Sequence, residues 1–121
     1  MHSFEELFAW KKARAFRSEI SGVVKKFPSD EKYRLTDQIL RSSRSVTANI
    51  AEGFGRFHYQ ENIQFCRQAR GSLFEVLDHL ICAKDEKLIS VPELKSLREQ
   101  FDECLKVLNG YIAYLKKAKL N

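Results

Sequence analysis

The chain has 121 residues, of which 44% are hydrophobic and 31% are charged, a balance that excludes an intrinsically disordered polymer and suits one domain with a modest core. No apolar run reaches the ~18 residues that a membrane span needs. Twenty-one Lys and Arg against sixteen Asp and Glu give a net charge of +5, which permits contact with nucleic acid without requiring it. We predict one cytoplasmic domain, residues 1–121, with no membrane segment.

The first helix is predicted to open at "SFEE", where Ser3 can cap the free amides. Its apolar residues then recur at steps of three or four from Phe4 to Phe27, the period of an α-helix. Pro28 should end it, because the residue before a proline is pushed out of the helical region.

The second helix is predicted to start at Ser29 or Asp30, with acids in its first turn that suit the helix dipole. Apolar residues from Leu35 to Ile50 trace its inner face. Gly53 and Gly55 should end it.

The third helix is predicted from about Tyr59 to Lys87. The fourth opens at "SVPEL", where Ser90 and Glu93 form a capping box and Pro92 lies in the first turn. No segment has the alternation of a strand. The sequence therefore predicts an all-α fold, an antiparallel up-down-up-down four-helix bundle.

A polar stripe runs along the second helix beside its apolar face, and small residues follow it on the third. We interpret this set as a hydrogen-bonded seam between helices or subunits, with a ligand or nucleic-acid site as the alternative. Its members are Gln38, Ser42, Ser45, Asn49, Glu52, Gly53, Gly71 and Ser72.

The basic residues that could contact phosphates lie mostly in the first half of the chain. The candidates are Lys11, Lys12, Arg14, Arg17, Arg41, Arg44, Arg56 and Arg67. Aromatic side chains alternate with Arg56 and His58 in "GFGRFHYQ", which could stack on single-stranded bases or tuck into the bundle end. The lysines of the terminal "YLKKAKLN" are interpreted as a frayed, solvated tail that could instead touch phosphates.

We predict no enzymatic activity, no cofactor and no metal. His2, His58 and His79 are scattered, and neither a Glu-x-x-His pair nor a P-loop is present. The three cysteines are widely spaced among apolar helical neighbours, so buried reduced thiols are expected rather than disulfides or a zinc site.

Three stretches carry a resemblance to a known family: "FEELFAWKKA", "FPSDEKYRLTDQILRSSRSVTANIAEGFGR" and "ARGSLFEVLDHL". Gln38, Arg41 and Ser45, together with "NIAEG" and the later "GSLFE", are the specific elements. The chain resembles the 23S rRNA intervening-sequence protein family, the bacterial "four helix bundle protein" group. It departs from the family at Ser42, where an alanine is usual.

The resemblance implies an antiparallel four-helix bundle that assembles into a ring-shaped or barrel-shaped homopentamer. Family members are encoded within intervening sequences of large ribosomal RNA genes. Related accessory proteins of diversity-generating retroelements are basic pentamers that bind nucleic acid and a reverse transcriptase.

Two functions are therefore expected. The first is a non-enzymatic homopentamer that binds RNA or DNA weakly and without sequence preference through its basic surface. The alternative is an adaptor for a protein partner, for example a reverse transcriptase, whose basic surface serves only solubility.

Overall fold

Four α-helices carry most of the chain in the computed structural model, which describes residues 3–120. They are α1 (Phe8–Val24), α2 (Leu35–Gly55), α3 (Tyr59–Asp85) and α4 (Val91–Lys119). Two single 3₁₀ turns, Phe4–Glu6 and Ser29–Glu31, precede α1 and α2. The predicted all-α four-helix bundle is confirmed.

Each helix packs against its neighbours in sequence, and α4 closes the ring against α1. Among the described residues the diagonal pairs, α1 with α3 and α2 with α4, make no close backbone contact. Contacts between early residues of one helix and late residues of the next show that the neighbours are antiparallel; Asn62, near the start of α3, reaches Tyr111 in the second half of α4. A single apolar core runs along the axis of the bundle.

All four helices contribute large side chains that are completely or almost completely buried in this core. They include Ile20, Ile39, Ile50, Leu73, Leu80 and Leu108. Each such side chain stabilises the fold by about 1.5–3 kcal/mol. The apolar stripes predicted from the sequence thus coincide with the core.

The predicted starts of the first two helices are wrong by several residues. Ser3 accepts a hydrogen bond from the Glu5 amide at 3.1 Å and caps only the first 3₁₀ turn, after which Leu7 is extended. The second helix begins at Leu35, whose amide donates to the Glu31 carboxylate at 3.2 Å. A side chain from the preceding turn therefore caps α2 in place of Ser29 or Asp30.

The ends of α1 and α3 also fall before the predicted positions. Beyond Val24 the chain forms 3₁₀-type bonds, from the Phe27 amide to the Val24 carbonyl at 3.0 Å, so the α-helix ends before Pro28. At the end of α3, Lys87 has φ of 63° and the Leu88 amide returns to the Ala83 carbonyl at 2.8 Å. This is a Schellman motif with a non-glycine residue in the left-handed position.

The start of α4 agrees with the sequence. The Glu93 amide donates to the Ser90 hydroxyl at 3.2 Å, and the Ser90 amide donates to the Glu93 carboxylate at 3.0 Å. The backbone amide of Ser90, and then its hydroxyl, stabilise the ionised carboxylate and hold the pKa of Glu93 below its usual value. The predicted capping box is confirmed.

Gly53 lies inside α2, not at its end, and α3 crosses it without room for a side chain. A Cβ at this position would lie 2.7 Å from Asn62 Oδ1 and 2.9 Å from Phe65 Cβ. Both atoms belong to the first turns of α3, so the α2–α3 hairpin depends on the missing methyl group.

We expect Gly53→Ala to lower the free energy of unfolding by about 1–3 kcal/mol, because the added methyl must push α3 away. Gly110→Ala is the matched control, since Gly110 lies within α4 with no described atom within 4 Å of its missing Cβ. That change should stabilise the protein by about 0.5–1 kcal/mol through helix propensity. Guanidinium unfolding followed by circular dichroism measures both, and equal effects would contradict the close approach.

The cysteines divide into two buried thiols and one exposed thiol. Burial raises the pKa of Cys66 to about 12 and that of Cys104 to about 11. Cys82 is exposed, so the predicted burial is wrong at this position. Its pKa is raised by desolvation and then by the carboxylates of Glu86 and Asp78.

At pH 8 we expect iodoacetamide to modify one thiol per native chain, at Cys82. A raised pKa leaves less thiolate at this pH, so the reaction should be slower than with free cysteine and should accelerate as the pH rises. Mass spectrometry of the alkylated protein counts the modified thiols, with the chain unfolded in guanidinium as the control that exposes all three cysteines. Modification of Cys66 in the native state would contradict its burial.

Candidate functional site

The polar seam is in part a contact between α2 and α3 within one chain. The Ser45 and Ser72 hydroxyls are 2.9 Å apart and share a hydrogen bond. The Asn49 amide donates to the Ser45 carbonyl at 2.9 Å and to its hydroxyl at 3.0 Å. Ser42 is buried and donates back to the Gln38 carbonyl at 2.9 Å.

Other members of the predicted seam face away from the bundle. The side chains of Gln38 and Glu52 are exposed, and the Glu52 carboxylate lies 3.7 Å from the Arg56 guanidinium one turn along α2. Gly71 is exposed in the middle of α3, and no described atom lies within 4 Å of the Cβ that it lacks. The seam therefore has an inner part, used within the chain, and an exposed outer part that includes Gly71.

The candidate cations of α1 do not share one environment. Lys12 Nζ lies 3.4 Å from the Glu103 carboxylate and so faces α4. The Arg14 guanidinium stacks over the Trp10 ring at 5.5 Å. Lys11 is exposed. The first half of α1 thus spreads its charge over several sides of the bundle.

Arg17 and Arg44 converge on one groove between α1 and α2. This groove has a volume of about 260 Å³ and is lined by Arg17, Ser18, Ser21, Leu40 and Arg44. The Arg17 guanidinium donates to the Thr47 hydroxyl at 2.8 Å, which positions it with a neutral partner. None of the described residues that line this serine groove is acidic.

Arg41 and Arg56 each pair with an acid one turn away on α2. The Arg41 guanidinium lies 3.2 Å from Asp37, and that of Arg56 lies 3.7 Å from Glu52 and 5.1 Å from the centre of the Phe65 ring. Exposed pairs of this kind contribute about 0–1 kcal/mol, so both arginines can exchange partners readily.

Arg67 belongs to a second basic groove, between α3 and α4. The groove has a volume of about 260 Å³ and is lined by Gln60, Ile63, Arg67, Lys116, Lys119 and Leu120. Lys119 Nζ donates to Gln60 Oε1 across it. The terminal lysines are exposed, as expected of a solvated segment, but the segment is not frayed, since α4 continues to Lys119. The sequence feature that indicates this longer helix is the apolar period of α4, which reaches Leu115.

The aromatic residues of "GFGRFHYQ" lie at the end of the bundle where α2 turns into α3. Phe54 is half-buried, whereas 85% of Phe57 and 48% of Tyr59 are exposed. They border a cleft of about 640 Å³ whose other walls come from the start of α1 and the second half of α4. The sequence pointed to these rings but not to the walls opposite them.

Within residues 3–120, no group of three or more His, Cys, Asp or Glu side chains is placed to hold a metal ion. His58 lines the aromatic cleft and His79 is in the second half of α3, while His2 lies outside the described residues. In the same range, no helix is both long and apolar enough to cross a membrane.

A family model for the 23S rRNA-intervening sequence protein matches residues 5–110. The chain belongs to this family. The resemblance carried by the three sequence stretches is thereby confirmed, and the match includes α1, α2, α3 and most of α4.

The fold is also that of a crystal structure from Bacteroides thetaiotaomicron, described as a protein with unknown function from the S23 ribosomal protein family. The two chains are 24% identical, with a TM-score of 0.79 over 87% of this chain and 95% of the other. At this identity the likeness supports the four-helix architecture alone. No curated protein matches the chain.

Proposed function

We propose that this member of the intervening-sequence family is a non-enzymatic cytoplasmic protein that assembles with copies of itself and binds RNA or DNA weakly, without sequence preference. The observation that carries the proposal is the serine groove, where Arg17 and Arg44 converge with two serine hydroxyls and none of the described lining residues is acidic.

The chemistry of this groove suits a phosphate. A guanidinium group offers two parallel N–H donors to phosphate oxygens, and serine hydroxyls donate further hydrogen bonds. Such contacts fix a nucleic-acid backbone but read no base, which accounts for the absence of sequence preference.

A second contact region is the basic groove that holds Arg67, Lys116 and Lys119. It lies between α3 and α4, on the opposite side of the bundle from the serine groove between α1 and α2. One strand that contacts both grooves would therefore wrap around the molecule. With few phosphates neutralised per chain, affinity is modest at physiological salt.

Self-association, as a pentamer in line with the family resemblance, has support from the outer face of α3. A glycine in mid-helix costs about 0.5–1 kcal/mol relative to alanine. No close packing in the described chain explains the glycine at position 71, since a Cβ there would meet no neighbouring helix within 4 Å. One turn away, 49% of Phe74 is exposed. Five chains of net charge +5 would bring 5 × 5 = 25 positive charges together.

The same face of α3 would equally serve an adaptor for a protein partner such as a reverse transcriptase. The two functions differ in one observable property, since an adaptor has no need of affinity for nucleic acid. Binding measurements with purified protein therefore decide between them.

We expect labelled single-stranded RNA to bind in fluorescence anisotropy at about 50 mM salt, with affinity that falls steeply as salt increases. Arg44→Gln should weaken this binding. It should also reduce the magnitude of the log–log salt slope by about 0.7 for each phosphate that is no longer neutralised, because that slope counts neutralised phosphates.

The matched control for this measurement is Lys106→Gln, which removes one charge from the exposed surface of α4 and should leave the slope unchanged. An equal loss of affinity in both variants would mean that net charge, and not the serine groove, attracts the RNA. Absence of binding at the lowest salt would overturn the nucleic-acid function in favour of the adaptor.

For self-association, native mass spectrometry should give the mass of five 14.1 kDa chains. Gly71→Arg should dissociate this assembly, because a long side chain fills the space that a neighbouring backbone would occupy. Gly110→Arg, at an exposed glycine of α4 with equally open surroundings, is the control and should preserve it. A monomeric wild-type protein would contradict self-association.

A further inference from the structure

The function of the aromatic cleft is not explained by phosphate contacts. Its volume is about 640 Å³, within the range of sites that hold small molecules. Half of the residues that line it are phenylalanines and tyrosines, from all four helices and from the α2–α3 turn. They are Phe8, Phe54, Phe57, Tyr59, Tyr111 and Tyr114.

Phe57 is held in a conformation that does not serve the stability of the chain. Its φ of 61° lies in the left-handed region, where a bulky residue is a clear outlier and glycine is preferred. Nor does burial compensate, since 85% of the residue is exposed and the centroid of its ring lies 6.3 Å from that of the half-buried Phe54. The turn keeps an exposed ring at the mouth of the cleft where glycine would be more stable.

The opposite wall offers a flat face with a polar group beside it. The Tyr111 and Tyr114 rings are nearly parallel, 12° apart in plane and 6.3 Å between centroids, and 63% of Tyr114 is exposed. The buried Asn62 amide donates to the Tyr111 hydroxyl at 3.0 Å. That bond orients the hydroxyl, which retains its own hydrogen to donate to a ligand.

The charge around the cleft favours an anionic occupant over an apolar peptide. The basic groove that holds Arg67, Lys116 and Lys119 begins one residue further along α4. Leu115 lines the cleft and Lys116 lines the groove. An aromatic site next to a cationic groove matches a ligand in which a planar ring is joined to phosphates.

We propose that the aromatic cleft receives an unpaired base of single-stranded nucleic acid, whose flanking phosphates lie in the groove of Arg67, Lys116 and Lys119. The base stacks on Phe57 and on the tyrosine wall, and the Tyr111 hydroxyl hydrogen-bonds its edge. Stacking of this kind accepts any base, because every base has a π face. A duplex cannot use the cleft, since its bases are paired and stacked on one another. This inference rests on the proposed function and adds a preference for single strands to it.

The test uses Phe57→Gly, a variant designed to fold well. Removing the ring from a left-handed position should raise the melting temperature by a few degrees while it weakens binding of a labelled single-stranded RNA of about 20 nucleotides. The expected loss of affinity is about 5- to 100-fold, the range for deleting one stacking platform. The salt slope should not change, because no phosphate contact is removed.

Two control variants separate the ring from its backbone and from its exposure. Lys87→Gly relieves a left-handed residue at the other end of the bundle, where φ is 63°, and should raise stability with affinity preserved. Tyr33→Ala removes another exposed ring, 84% accessible, from the segment between α1 and α2, and should leave affinity unchanged. Two further probes, a duplex of equal length and a single strand with abasic sites throughout, should bind wild type and Phe57→Gly alike.

The outcomes separate this inference from the proposed function. Single-strand binding that is salt-dependent but equal in wild type and Phe57→Gly would overturn the base site and leave phosphate binding intact. No binding of any probe would overturn both. If light scattering on the same samples shows that Phe57→Gly changes the assembly mass and not the affinity, the cleft is a contact between copies and the base site is wrong.

Discussion

The close approach of α2 and α3 at Gly53 is the constraint on which the functional end of the molecule depends. With no side chain on Gly53, the first turn of α3 lies directly against α2, and Asn62 is held with its carboxamide beside the glycine. From there the Asn62 amide reaches the Tyr111 hydroxyl at 3.0 Å. One missing methyl group thus lets a single polar side chain connect α2, α3 and α4.

The same contact shapes the aromatic cleft. Asn62 and Tyr111 both line it, and the turn that follows Gly53 places Phe57 at its mouth. A wider α2–α3 spacing would move this turn away from α4 and would separate the rings that face each other. The hydrogen bond between Asn62 and Tyr111 also contributes to stability, since a buried polar group left unpaired costs about 1–3 kcal/mol. The geometry of the cleft and the stability of the hairpin are therefore linked.

The molecule also holds features that lower the stability of the isolated chain. Phe57 occupies a backbone region suited to glycine, and Gly71 occupies a helix position suited to alanine. At Phe57 the result is an exposed aromatic ring, and at Gly71 it is an exposed stretch of helix backbone. Backbone strain such as that of Phe57 is typical of functional sites, where a ligand or another protein binds. Phe57 locates the surface of the base-site inference and Gly71 that of the proposed self-association. The proposed phosphate contacts rest instead on the serine groove.

The sequence by itself determined the helices, the bundle and the family. All three follow from local patterns: apolar residues at steps of three or four, the Ser90–Glu93 capping box and stretches such as "NIAEG". Such patterns form the same local structure in any fold that buries one face of each helix. The predicted starts of α1 and α2 are wrong because Ser3 caps a 3₁₀ turn and Ser29 lies within another. The packing of the helices decides where the α-helix itself begins.

Only the tertiary structure decided which residues meet. The eight candidate cations share similar sequence surroundings, yet Arg17 and Arg44 converge on one groove while Lys12 faces Glu103 of α4. Likewise, the sequence shows Tyr111 only as a member of the apolar stripe of α4. The structure shows that its hydroxyl accepts a hydrogen bond from Asn62 of α3. Such contacts join residues far apart in the chain, and helical periodicity defines the face of each residue but not the partner that packs against it.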